Sequence, residues 1–529
     1  MAAEALAHTH DVVIVGGGHN ALVAAAYLAR TDFRVVVLER LDHLGGAAVS
    51  EQPWAGVDAR LSRYSYLVSL LPQRIVDDLG LHIELRRRRY SSYTPDPGDP
   101  GRGILIDTAD AAATAQSFLR TTGDATEAAR YARLADRLGV AARALFPTVI
   151  EPLVRRATVR ERVEDDELWA DLVEQPLGRM LRSSLETDIA RGIALTDGLI
   201  GTFSSSDDES LRQNRCFLYH VIGGGTGDWD VPVGGMGRVS GELERAARAA
   251  GADLRTNSEV AAISPDGEVS LWVDRETLRG RLVLSAVGPA ILARLLAAGG
   301  GGATTGSPPE GAQVKVNMLL RRLPRLRDDR VAPDAAFAGT FHINETLSQL
   351  NAAFATASAG GIPSPLPAEI YCHSLTDPSI LGPELRASGA HTLTLFGLQV
   401  PHRLVTGMDQ DAARSAMQDA ALRTIDSVLA EPIADCVYLG PDGSPCIETR
   451  TTADLEDSLG MIGGDIFHGD LSWPWADDDE PLDSPAARWG VETEHAQVLM
   501  CGAGARRGGA VSGLGGHNAA MAAIELLRG

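Results

Sequence analysis

The chain has 529 residues, of which 44% are hydrophobic and 22% charged, and a formal net charge of -22. That length predicts two or three domains, and the acidic excess excludes nucleic acid, which needs a basic face. No run of about 18 apolar residues occurs, so no membrane-spanning helix is expected.

Residues 1–10, MAAEALAHTH, lack the charged and apolar regions of a signal peptide. They read as a disordered N-terminus. The five cysteines, at 216, 372, 436, 446 and 501, form no C-x-x-C pair and no metal-ligand spacing with histidine. This predicts a reduced, cytoplasmic protein without a metal, and leaves peripheral membrane association open.

Residues 11–40 read DVVIVGGGHNALVAAAYLARTDFRVVVLER. Val12–Val15 is a continuous apolar run, as expected of a buried parallel strand. Gly16, Gly18 and Ala21 spell G-x-G-x-x-A, Asn20–Arg30 reads as a helix, and a second strand at Arg34–Leu38 ends in Glu39. Gly16 permits a tight turn, Gly18 lets backbone approach a pyrophosphate, and Ala21 lets the helix pack on the strand. The helix N-terminus offers free N–H groups and partial positive charge to phosphate. Glu39 can accept from both ribose hydroxyls and would repel a 2′-phosphate, which argues against NADP. The alternative is a glycine-rich turn in another α/β domain.

After Glu39 comes a second glycine pair, Gly45–Gly46, followed by Ala47. It lets the chain turn beneath a pyrophosphate and points to FAD rather than NAD. An ordinary loop is the other reading. Arg63 and Tyr64 follow and are candidates to line a substrate cavity or to support the flavin loop. Residues 108–200 carry apolar positions at helical spacing. The segment GGGTGD at 223–228 starts no helix, so a second nucleotide site is not expected.

In PVGGMG, residues 232–237, a glycine turn precedes a helix at Arg238–Ala250. Met236 could touch a bound ring or fill core. Asp253–Ile263 alternates as one strand with Val260 near its end, and Val283–Ala286 reads as a further strand. Residues 298–309 and 358–367 are loops by composition.

VKVNMLL, residues 314–320, has a strand pattern with Lys315 and Asn317 on one face, and Lys315 is the only lysine in the chain. An inward lysine needs a partner or a wet cavity. Its place on a strand resembles that of the lysine many flavin oxidases hold beside the flavin, which implies a group aiding electron transfer electrostatically; the other reading is a snorkelling surface lysine. Strands and helices alternate to about residue 480 (Thr392–Leu398, Asp411–Ala430). His468, in GGDIFHGDLS, is a candidate for proton transfer or for bracing a loop. The acidic run in 473–485 reads as a solvated loop. At the C-terminus, strand Gln497–Cys501, a glycine-dense loop and helix Asn518–Leu527 form a unit able to close on a flavin ring.

The stretches GGGHNALVAAAYLA, SRYSYLVSLLPQRIVDDLGL, VPVGGMGRVSGELERAARAAGADLRTNSEVAAI, LGMIGGDIFHGDLS and CGAGARRGGAVSGLGGHNAA resemble, in order, the phytoene desaturase-like FAD oxidoreductases. Within them the chain looks similar to the branch named for a pyridine nucleotide-disulfide oxidoreductase domain, although no redox cysteine pair is present. The resemblance implies an α/β fold in which a Rossmann-like FAD-binding domain of the flavin amine oxidase and phytoene desaturase type (11–75, 215–310 and 485–529) carries an inserted α+β substrate domain (76–214 and 311–484). It implies FAD contacts from Gly16, Gly18, Asn20, Ala21, Glu39, Arg40, Gly45, Gly46, Ala47, Val260, Gly504, Gly509 and Val511. Lys315 and His468 are the implied catalytic groups, with Arg63, Tyr64 and Met236 toward substrate.

The implied reaction removes two hydrogens from a lipophilic or polycyclic small molecule and passes electrons to O2 or a quinone. C–N bond oxidation, saturation, isomerisation and a non-catalytic flavin-bound role are the alternatives. Ala47 argues against C–N oxidation, because amine oxidases usually follow the glycine pair with arginine. Oligomeric state stays open, a homo-oligomer included.

Overall fold

The computed structural model describes residues 10–301 and 308–529. Residues 1–9 of the N-terminal segment and 302–307 of the 298–309 loop lie outside the described residues. His10 itself begins the first strand rather than ending a disordered tail.

One seven-stranded sheet is built from distant parts of the chain. Its parallel part runs Asp253–Arg255, Val35–Leu38, His10–Val15, Thr277–Ser285 and Val498–Met500. Val12, Val13 and Ile14 are fully buried, because helices His19–Ala29 and Leu514–Arg528 cover one face and helix Pro289–Ala298 the other. Such a strand shows no alternation, which is why its sequence reads as a continuous apolar run.

Asp253–Ile263 is two strands, not one. Asp253–Arg255 pairs with Val36–Leu38, whereas Val260–Ile263 joins an antiparallel meander with Glu268–Leu271 and Thr277–Arg279. Between them Asn257 takes φ +52°, and the amides of Asn257 and Ser258 donate to the carbonyls of Leu41 and Glu39. The chain is thereby wrapped around the end of the strand that carries Glu39.

A second seven-stranded sheet has the order Ile447–Arg450, Gln313–Leu320, His391–Leu398, Ala368–Tyr371, Thr340–Ile343, Tyr90–Asp96 and Asp99–Asp107. Its pairs are antiparallel except that Thr340–Ile343 runs parallel to Tyr90–Asp96. Val314, Val316, Leu395, Ile370 and Phe341 pack on one side with Met417, Ala421 and Ile425 of helix Gln410–Asp426. A layer of helices from Ala111–Thr122 to Arg212–Ile222 builds a separate core around Leu168, Trp169, Leu177 and Phe217.

The C-terminal loop is pinned by one buried cation. Arg507 is 1% exposed, and its guanidinium donates to the carbonyls of Thr148, Glu151 and Trp489 at 3.1, 2.5 and 2.8 Å. Burial pulls its pKa down to about 10, still charged at neutral pH. Arg507→Met is expected to destabilise the protein by about 3 kcal/mol or more, since three carbonyls lose charge-assisted donors. Thermal melting checks this. Arg507→Lys is expected to recover only part of the loss, because a point ammonium cannot reproduce the guanidinium fork.

Candidate functional site

A cavity of about 980 Å³ runs from the first glycine turn to the second sheet. This lies at the upper end of the usual range for small-molecule sites, roughly 300–1,000 Å³.

Its first wall is the turn after strand His10–Val15. Gly16 takes φ +94°, which glycine adopts without strain. The Gly17 amide donates to Glu39 Oε2 at 2.6 Å and the Leu41 amide to Oε1 at 2.8 Å. Glu39 is thus braced, and each oxygen keeps a second lone pair for a ribose hydroxyl. Gly18 is the N-cap of helix His19–Ala29 without a side-chain cap, and a Cβ on Gly18 would meet nothing within 4 Å. The orphan N–H groups and the positive end of the helix therefore face open space. The second glycine pair closes on this turn: Gly45 bridges Gly18, and a Cβ on Gly46 would stand 3.2 Å from the Gly18 Cα. These features fit a dinucleotide pyrophosphate.

Gly16, Gly18, Asn20, Glu39, Arg40, Gly46, Ala47, Val260, Gly509 and Val511 all line the cavity. Ala21 is fully buried behind the turn in the helix core. Gly45 and Gly504 also stand back from the cavity. A Cβ on Gly504 would press on Pro289, so its part is packing rather than contact. The Arg40 guanidinium donates to the Ser458 carbonyl at 2.6 Å. The last helix starts at Leu514, four residues before the expected Asn518. Its first turn packs on Asn20, whose Oδ1 accepts from the Gly516 amide at 3.3 Å. The loop at 508–511, not the helix end, therefore faces the cavity.

The floor is the second sheet. Arg450, Lys315, Phe396, Glu369 and His342 stand directly opposite one another across five strands, and all five line the cavity. Lys315 is 5% exposed, which rules out the snorkelling alternative. Its Nζ donates to the carbonyls of Ser62 and Tyr64, both at 2.8 Å, and sits 4.6 Å from the centroid of the Tyr66 ring. Burial lowers its pKa to about 7, against the opposing attraction of Glu448.

Arg63 lines the cavity but is tied up in ion pairs with Glu448 and Glu51. Tyr64 also lines it. Met236 does not. It is fully buried among Ala48, Val68, Val239 and Val511, so the core-filling alternative replaces a substrate contact. His468 is half-buried with φ +62° and packs beside Gly288 and Gly504. Burial pulls its imidazole down to about 4, leaving it neutral at pH 7. It lines the cavity, where a neutral imidazole can accept a proton or brace the loop.

The far end holds groups that sequence reasoning missed. Tyr371 donates to Glu369. His342 Nδ1 meets Glu345 Oε2 at 2.7 Å, and Thr196 donates to the same oxygen at 2.6 Å. Burial raises Glu369, and the adjoining Glu345 carboxylate adds to the rise. Burial works against the charged His342 imidazole, but the surrounding carboxylates outweigh it and its pKa is raised. The signal was period-two spacing: His342 follows Thr340, and Tyr371 follows Glu369, on cavity-facing positions.

Three comparisons with known proteins agree. A profile described as an NAD(P)-binding Rossmann-like domain matches residues 14–73. An uncharacterized protein of Mycobacterium tuberculosis is 52% identical, with 98% of this chain and 97% of that one covered. Pyridine nucleotide-disulfide oxidoreductase domain-containing protein 2 of Rattus norvegicus is 29% identical, with 97% and 92% covered. A solved structure of putrescine oxidase bound to putrescine superposes with TM-score 0.57 at 17% identity, covering 98% and 99%.

Glu39→Ala removes the acceptor and leaves two backbone amides without it. Dinucleotide binding is expected to weaken at least about tenfold, or 1.4 kcal/mol. Titration of the apoprotein with FAD, followed by flavin fluorescence, measures the change.

Proposed function

The chain belongs to a family of oxidoreductases with an NAD(P)-binding Rossmann-like domain that includes its mycobacterial relatives and pyridine nucleotide-disulfide oxidoreductase domain-containing protein 2, and on that footing we propose that it binds FAD and dehydrogenates a small molecule. The observation that carries this reading is one continuous cavity joining the glycine turn to the Lys315 face of the second sheet. FAD, when bound, supplies a two-electron acceptor for a hydride. On this reading residues 11–75, 215–310 and 485–529 hold the dinucleotide, and 76–214 with 311–484 hold the substrate.

The chain's own residues then have distinct tasks. Gly16, Gly18 and the helix behind them take the pyrophosphate, Glu39 the ribose and the Val260 backbone the adenine. Gly509 and Val511 border the flavin end. Lys315 holds a positive charge at the boundary between cofactor and substrate, tethered so that it cannot leave for solvent. Leu67, Leu70, Ile193, Ile200 and Ile466 give the substrate chamber apolar walls, while Glu369 and His342 make its far end polar. A substrate with an apolar body and one polar end fits this chamber better than a wholly lipophilic one. The reaction removes two hydrogens from adjacent carbons, and O2 or a quinone takes the electrons.

Anaerobic mixing of the holoprotein with candidate substrates tests the reading through loss of flavin absorbance. Bleaching by apolar compounds with one oxygenated end is expected, whereas bleaching by amines alone would contradict it. Because the Lys315 pKa is lowered to about 7 by burial, its charge is complete below that pH and fades above it. Reoxidation of the reduced holoprotein by O2 is therefore expected to slow above pH 7. In Lys315→Met it is expected to be at least about tenfold slower and to lose this pH dependence. An unchanged rate would remove the role assigned to Lys315.

A further inference from the structure

At the inner end of the cavity three side chains converge. His342 and Glu369 are cross-strand partners, and Glu345 lies two residues beyond the end of the strand that carries His342. One ligand atom from each, an imidazole nitrogen and two carboxylate oxygens, lies within 4.8 Å of the other two. All three residues are buried, with Glu345 at 0%, Glu369 at 2% and His342 at 5% exposure.

The protein does not complete this group by itself. Glu345 Oε2 accepts from Thr196 and meets His342, but Glu345 Oε1 has no hydrogen-bond partner. A buried carboxylate oxygen without a donor costs roughly 1–3 kcal/mol or more. A third carboxylate, Asp197, lines the same end of the cavity. The fixed cation there is Arg88, which donates to Thr340 Oγ1 and lies 5.8 Å from the centroid of the Tyr371 ring. Three carboxylates thus face one guanidinium and the imidazoles of His342 and His220.

We propose that His342, Glu345 and Glu369 form a binding site for a divalent first-row transition cation. One imidazole and two carboxylates are a borderline-to-hard donor set of the kind that takes Zn2+, Mn2+ or Fe2+. The outer partners are in place: Thr196 on Glu345 and Tyr371 on Glu369 would hold the carboxylates in orientation. His342 and Glu369 line the cavity and Glu345 does not. The cation would therefore be anchored from behind and present its open coordination positions to the substrate chamber, where an oxygen of the substrate's polar end could bind. The site does not depend on the flavin reading, since its ligands come from the second sheet and the loop that follows one of its strands.

The test uses full-length protein stripped with a chelator and titrated with Mn2+, followed by electron paramagnetic resonance, and separately with Zn2+ by calorimetry. One tight site per chain is expected in the wild type. Glu345→Gln and Glu369→Gln keep shape and remove charge, and each is expected to weaken that site by more than about 100-fold, beyond what loss of an outer partner costs. Melting temperature and FAD content report whether the variants fold. No tight site in the wild type, or equal affinity in a folded Glu345→Gln protein, would overturn the proposal. If both variants fail to fold, anomalous diffraction from Zn2+-soaked wild-type crystals decides: a peak among the three side chains supports the site, and its absence refutes it.

Discussion

The buried ammonium of Lys315 joins the two halves of the molecule. An ammonium this far from water must be matched with acceptors, and it finds the carbonyls of Ser62 and Tyr64. Those carbonyls belong to the chain that leaves the first glycine-rich unit, while the lysine belongs to the second sheet. The contact fixes how closely the sheet face approaches the dinucleotide turn. Once it is made, the register of the sheet sets the rest of the cavity floor, from Arg450 through Phe396 to Glu369 and His342.

Around that floor the electrostatics are divided. At the Lys315 end of the sheet Arg63 and Arg450 are paired with Glu51 and Glu448, so those charges are matched and lysine is the one there titrating near neutrality. At the inner end the carboxylates outnumber their fixed partners. Between them lie Tyr66 and Tyr371, with ring centroids 4.8 Å apart, and Phe396. These rings keep the two charged ends in a low-dielectric setting, where each polar group matters more than it would in water. The orphan N–H groups behind Gly18 add a third region, positive without any basic side chain.

What was legible in the sequence is what is local in the chain. Strand, glycine turn, helix, strand and acid occur within thirty residues, so their spacing alone carries the chemistry. Lys315 stood out because a chain that otherwise uses arginine keeps one lysine in a strand. Glu369, His342 and Glu345 did not stand out as a group, because period-two spacing marks cavity-facing positions within one strand, whereas the pairing of neighbouring strands that brings them together is not written in either strand alone. Met236 was misread for a related reason: its neighbours Val68 and Val511 arrive from both ends of the chain. Asp253–Ile263 alternates as one strand should, yet Asn257 breaks it at positive φ, a conformation asparagine tolerates, and pairing to Leu41 and Glu39 holds the break in place.

The account stands or falls on a single flavin dinucleotide lying along the cavity. The most direct measurement is the visible absorption spectrum of the purified full-length protein, with its FAD content determined after denaturation. One FAD per chain and the two-band spectrum of an oxidised flavin are predicted. A colourless protein that takes up no FAD when supplied would contradict the central claim.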